Sequence, residues 1–203
     1  MKRLSSLIIL LALLSGCAPA LEESLPALML GVEEKDGKIS VCARMPKANG
    51  ETGEKGYVTI ESSGASAKEA LQKLRSENAY SFHLSGLRAL IISDSLSPDS
   101  LRETLDALWA DGIRGRAAVI GASEAVKDLI DAVNAEVGMR LSRYLDEKFE
   151  RATATGALPD STVFTLERAL EVYGQRNIAA RCAKGGSETA MDELMLFSSE
   201  DEE

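Results

Sequence analysis

Eight residues, Gly86 to Ser93, constrain this fold more than any other stretch. Leu87, Ala89, Leu90, Ile91 and Ile92 form a nearly continuous apolar run. Successive strand side chains point to opposite faces, so such a run suits a central strand buried on both sides of a sheet. At 45% hydrophobic and 27% charged residues, the chain has the composition of a folded domain. Only 4% of residues are aromatic, so Leu, Val, Ile, Ala and Met must build the core.

The flanking sequence supplies the other elements. Leu28–Glu33 and Ile39–Met45 surround Asp36-Gly37, and the second run alternates Ile39, Val41, Ala43 and Met45 with Ser40, Cys42 and Arg44. Two such runs about a short Asp-Gly turn predict a β-hairpin. After the polar loop 46–56, Tyr57–Ser62 reads as a third strand. Ser66 with Glu69 makes a capping box for a helix striped by Ala67, Ala70, Leu71 and Leu74. Ser97-Pro98 starts a helix with Leu101, Leu105, Leu108 and Trp109 on its buried side, and Gly112 ends it. Arg116–Gly121 is a second buried strand, and Ser123 is expected to cap a helix carrying Val126, Leu129, Ile130 and Val133. Beyond Gly138 the pattern is helical: Leu141, Tyr144, Leu145 and Phe149, a break at 153–159, then Val163, Leu166, Leu170 and Tyr173. A short strand is expected within 177–182. The fold class is α+β (mixed α/β): a hairpin and third strand, alternating helix and strand, then a mostly helical C-terminal part.

The first seventeen residues set the compartment. Lys2 and Arg3 precede an apolar run from Leu4 to Leu14, followed by Leu14-Ser15-Gly16-Cys17. This is the layout of a secretory signal peptide. As a helix the run reaches only about 16 Å, short of a hydrocarbon core of about 30 Å. Leu14-Ser15-Gly16-Cys17 looks like a bacterial lipobox, in which Cys17 receives a diacylglyceryl group before cleavage ahead of it. The expected organisation is a signal peptide over 1–16, a tether over 17–26, one domain over 27–186 and an acidic, solvated tail over 187–203. The tail has seven acidic residues and no Lys or Arg. Losing Lys2 and Arg3 takes the net charge from −9 to −11, which argues against nucleic acid and broad adhesion to anionic lipid.

No residue pattern announces catalysis. GxSxG, P-loop, HExxH and dinucleotide fingerprints are absent, as are CxxC and Cys/His zinc spacings, so no cofactor or metal site is assigned. His83, the single histidine, could serve as a base for Ser81 or Ser85 or as a pH sensor. The plainer reading is a histidine hydrogen-bonded to backbone at a turn before the apolar strand. Trp109 reads as core packing. The acidic tail lacks the glycine-punctuated spacing of a calcium loop. A Cys42–Cys182 disulfide is permitted outside the cytoplasm but unnecessary in a domain of this size.

In order, Ala27–Val32 with the Asp36-Gly37 turn, Glu61–Leu74, Phe82-His83-Leu84, Leu87–Ser93, Leu105–Asp111, Ala118–Gly121 and Ala125–Leu129 resemble the Ger(x)C family of spore-germination lipoproteins. The series covers about residues 27–133 and extends towards Cys182. The resemblance implies a shortened form of the N-terminal domain of a germinant-receptor C subunit. It implies a non-enzymatic lipoprotein on the outer face of the membrane, the inner membrane in a spore, beside integral membrane receptor subunits. The only site residue expected is Cys17, for lipidation. The alternative is a free-standing extracytoplasmic lipoprotein that binds a ligand or envelope component; an envelope hydrolase has the least support.

Overall fold

The computed structural model describes residues 24–47, 56–78, 81–123, 125–133, 140–156, 161–173, 180–183 and 195–198. The expected signal peptide and the expected lipidation site Cys17 lie outside them. In chain order the elements are β1 (Ser24–Pro26), β2 (Met29–Lys35), β3 (Lys38–Pro46), β4 (Tyr57–Gly64), α1 (Ala67–Ser76), β5 (Ser81–His83), a 3-10 turn (Leu84–Gly86), β6 (Ala89–Ser93), α2 (Pro98–Ala110), β7 (Ala118–Ala122), α3 (Val126–Ala132), α4 (Leu141–Ala154), α5 (Val163–Tyr173), β8 (Ala180–Ala183) and β9 (Met195–Ser198).

Seven strands form one mixed sheet in the order β4-β3-β2-β6-β7-β8-β9. The hairpin closes at Asp36-Gly37, with Lys35 opposite Lys38. Both turn residues have positive φ, 53° and 70°, as a two-residue type I′ turn requires. β6 lies at the centre, parallel to β2 and β7. Its five residues are all buried, the outcome its apolar run demanded.

Helices cover both faces. Leu30, Val32, Val41, Met45, Leu90 and Ile92 point into one core beneath α1, α2 and α5. Met29, Cys42, Ile91 and Ile120 point into the other beneath α3 and α4. The two-residue period therefore sorts each central strand between two cores, and the structure is a mixed α+β sandwich of three layers. In β3 the face carrying Ser40, Cys42 and Arg44 is as buried as the apolar one, because α3 lies over it. Gly31 permits that approach. A Cβ there would sit 2.1 Å from Val126 Cγ1.

Three local expectations change. Ser123 does not cap α3: the N-cap is Ala125, which makes no side-chain cap bond. Glu33 reaches across from β2 instead, and its Oε2 accepts from Val126 N–H at 3.2 Å. In the α1 capping box Ser66 Oγ accepts from Glu69 N–H at 3.2 Å, while Glu69 Oε2 accepts from Ala65 N–H, one residue before the cap. Part of the segment expected as a tether, Ser24–Pro26, is a strand parallel to β5. The strand expected within 177–182 is β8, and residues 195–198 of the acidic tail pair with it as β9.

Cys42 and Cys182 stand four strand spacings apart, on β3 and β8. At about 4.8 Å per spacing this is about 19 Å, against the roughly 7 Å limit for bridged Cα atoms. No disulfide joins them; Cys42 is a free, buried thiol. Burial pushes that thiol up to about 12, with the carboxylates of Glu61, Glu33 and Asp131 adding to the shift.

Candidate functional site

The single histidine ends β5, and its Nδ1 lies 2.7 Å from Ser85 Oγ in the adjoining 3-10 turn. Its own carbonyl accepts from Ala27 N–H at 3.0 Å and ties the turn to the start of the domain. Among the described residues the ring binds a serine hydroxyl and no backbone group. Of the two serines considered as partners, Ser85 is the one the structure brings to it. Among the described residues no carboxylate hydrogen-bonds to His83, so the third member of a nucleophilic triad is missing. The pair joins two residues of one turn, which is the work of a structural hydrogen bond.

Arg44 is a residue that composition and periodicity did not single out. It is 4% exposed, and its Nη1 donates to the Ile130 and Asp131 carbonyls, the latter at 3.0 Å. Those carbonyls belong to the last turn of α3, where a cation is favoured, and the Ile130 carbonyl also accepts from Val133 N–H at 3.3 Å. The guanidinium also lies 5.8 Å from the Tyr57 ring centre. The Tyr57 hydroxyl in turn accepts from Leu141 N–H at 2.8 Å, at the start of α4. Burial raises the Asp131 carboxyl, but bonds to Thr59 and Lys127 and the charge of Arg44 outweigh it and hold the group below the ordinary carboxylate range. This network fastens α3 and α4 to the sheet. An arginine alternating with Ser40 and Cys42 was the only sign of it in the sequence.

Among the described residues, grooves indent the surface at these two places. One, of about 430 Å³, runs between α1 and α2 over Leu71, Ala107 and Ala110. Arg75 closes one end with a two-pronged ion pair to Asp111, and its guanidinium lies 5.1 Å from the Phe82 ring centre. The other, of about 370 Å³, opens where β6 and β7 begin and is lined by Arg88, Arg114, Arg116, Asp146, Phe149 and Glu150. Trp109 packs on the core at the end of α2, as expected. Among the described residues no cluster of His, Cys, Asp and Glu could hold a metal ion, and no helix is long and apolar enough to cross a membrane.

No curated protein and no solved structure matches the chain. A family model does: the spore germination protein N-terminal domain, over residues 20–180. That span takes in the separate β1–β5 pair, the central sheet from β2 to the start of β8, both helical layers, the Arg44 network and the two grooves described. The chain belongs to this spore germination family, and residues 20–180 are its N-terminal domain.

Proposed function

We propose that this protein is a lipid-anchored subunit of a germinant receptor, held on the outer face of the membrane and acting by assembly with integral membrane subunits. The observation that carries the reading is the germination-domain match beginning at residue 20, three residues after the lipobox cysteine. Two acyl chains on Cys17 anchor a protein stably where one does not. Confinement to the membrane plane raises the effective concentration of neighbouring subunits, so a modest docking surface suffices. The proposed role needs no turnover: a receptor subunit of this kind acts by assembly, and among the described residues no carboxylate hydrogen-bonds to the His83–Ser85 pair.

The test combines anchor and partner. A fatty-acid probe labels the wild-type protein in cells and fails to label Cys17→Ala. Crosslinking in native membranes then recovers a polytopic protein with the wild type. Label retained on Cys17→Ala removes the anchor; full germination activity of the unanchored form, or recovery of soluble proteins alone, removes the receptor role.

A further inference from the structure

The three parallel strands β2, β6 and β7 all begin at one edge of the sheet, and the chain enters the domain there. Arg88 N–H donates to the Leu28 carbonyl at 2.9 Å, and the Arg88 carbonyl accepts from Ala118 N–H at 2.9 Å. Gly86 lies close against Pro26, where an added Cβ would be 2.6 Å from the Pro26 Cβ. Cys17 is seven residues before Ser24, so an anchored cysteine can be at most about 25 Å from the start of β1. A tether this short keeps the edge near the bilayer.

The same edge reverses the charge of the protein. The chain has 23 basic and 32 acidic residues. Here Arg88, Arg114 and Arg116 surround a groove of about 370 Å³ whose acids are Asp146 and Glu150. Arg88 pairs with Asp146 at 3.3 Å. Arg114 and Arg116 are exposed, and among the described residues neither has an ion-pair partner. α4 passes this edge, from its start at Tyr57 to Asp146 beside Arg88, and residues 140–156 hold four basic and three acidic residues. An apolar side chain stands out beside the arginines. Phe164 N–H donates to the Gly115 carbonyl at 3.0 Å, and its side chain is 57% exposed.

We propose that this edge is the face the domain lays on the membrane, with Arg88, Arg114 and Arg116 receiving the phosphates of anionic phospholipid headgroups and Phe164 entering the interface beside them. The inference rests on the lipid anchor proposed above and adds an orientation to it. Guanidinium groups bind phosphate through paired N–H donors, and an aromatic ring among cations suits the headgroup boundary. The excess negative charge elsewhere repels an anionic surface, so it selects this edge over the others. Headgroup contact here turns the Asp36-Gly37 end of the sheet away from the bilayer.

The experiment uses the full-length product in its native, processed form, reconstituted into vesicles of phosphatidylcholine alone or with one-third phosphatidylglycerol. Amide hydrogen exchange at residues 86–89 and 113–118 slows several-fold with phosphatidylglycerol only. High salt removes the slowing, and so does the Arg114→Glu/Arg116→Glu variant, at about fivefold weaker headgroup binding for each arginine lost. Unchanged exchange in β2 shows that the variant is folded. Equal exchange in the two lipids, or slowing at the Asp36-Gly37 end, overturns the proposal. Slowing in native membranes but not in phosphatidylglycerol vesicles assigns the edge to a protein partner and overturns it too. The mass of the same sample reports the diacylglyceryl group, so a failed anchor is read separately from a failed orientation.

Discussion

Gly31 and Val126 meet across the sheet–helix interface with no room for a methyl group between them. A Cβ on Gly31 would lie 2.1 Å from Val126 Cγ1, 2.7 Å from Cys42 Sγ and 2.8 Å from Ile130 Cδ1. Gly31→Ala must therefore push α3 off the sheet. Overpacking of this kind costs about 1–3 kcal/mol, and three simultaneous clashes put it at the upper end. Chemical denaturation measures the loss; an unshifted midpoint would show that α3 does not sit where described.

Arg44→Lys should destabilise the domain by about 2 kcal/mol. The lysine keeps the charge but not the planar guanidinium, whose Nη1 reaches both the Ile130 and Asp131 carbonyls while its plane lies beside the Tyr57 ring. Amide exchange should accelerate in α3 and at Leu141, whose N–H is held by the neighbouring Tyr57. A variant as stable as the wild type, with α3 equally protected, would contradict this account of the network.

The Cys42 thiol makes stability fall at alkaline pH. Its folded value, about 12, is above the ordinary 9.0, so between those values the unfolded chain has released a proton that the folded chain keeps. Fewer protons bound in the unfolded state means stability declines as pH rises, by about 1.4 kcal/mol per pH unit from this group. Denaturation midpoints measured from pH 8 to 11 should show a steeper decline for the wild type than for Cys42→Ala. Parallel profiles would refute the assignment.

Thiol chemistry also tests the strand order. Cys42 should resist alkylation at pH 8 until the protein is unfolded, and mass spectrometry without reductant should find no Cys42–Cys182 peptide. A bridged peptide would require β3 and β8 to be neighbours.

His83→Gln and Ser85→Ala should each lower stability by about 1 kcal/mol, and the double variant should lose no more than either alone, since both remove one hydrogen bond. Germination should persist wherever the protein folds. A fully stable His83→Gln protein that abolishes germination would give the histidine a direct role.

Several features were legible in the sequence because they are short-range. The Asp36-Gly37 turn needs only two residues that tolerate positive φ. The stripes on α1, α2, α4 and α5 follow from the helical period, and the β6 run announced a strand covered on both faces. The ordered series of these pieces was enough to reveal the family later matched over residues 20–180. The misplaced cap shows where local rules end. Ser123 had the chemistry to cap α3, yet Glu33, 93 residues from Val126 in sequence, supplies the acceptor because strand register brings it there.

Tertiary structure alone decided that β2 lies between β3 and β6, that the Ser40-Cys42-Arg44 face is buried, and that Arg88, Arg114 and Arg116 share a groove. Each of these depends on pairing between segments far apart in the chain. Sequence periodicity determines which faces of an element are apolar, because side-chain direction is a property of the local backbone. Which neighbour covers each face is settled only when all the elements compete to bury their surface at once.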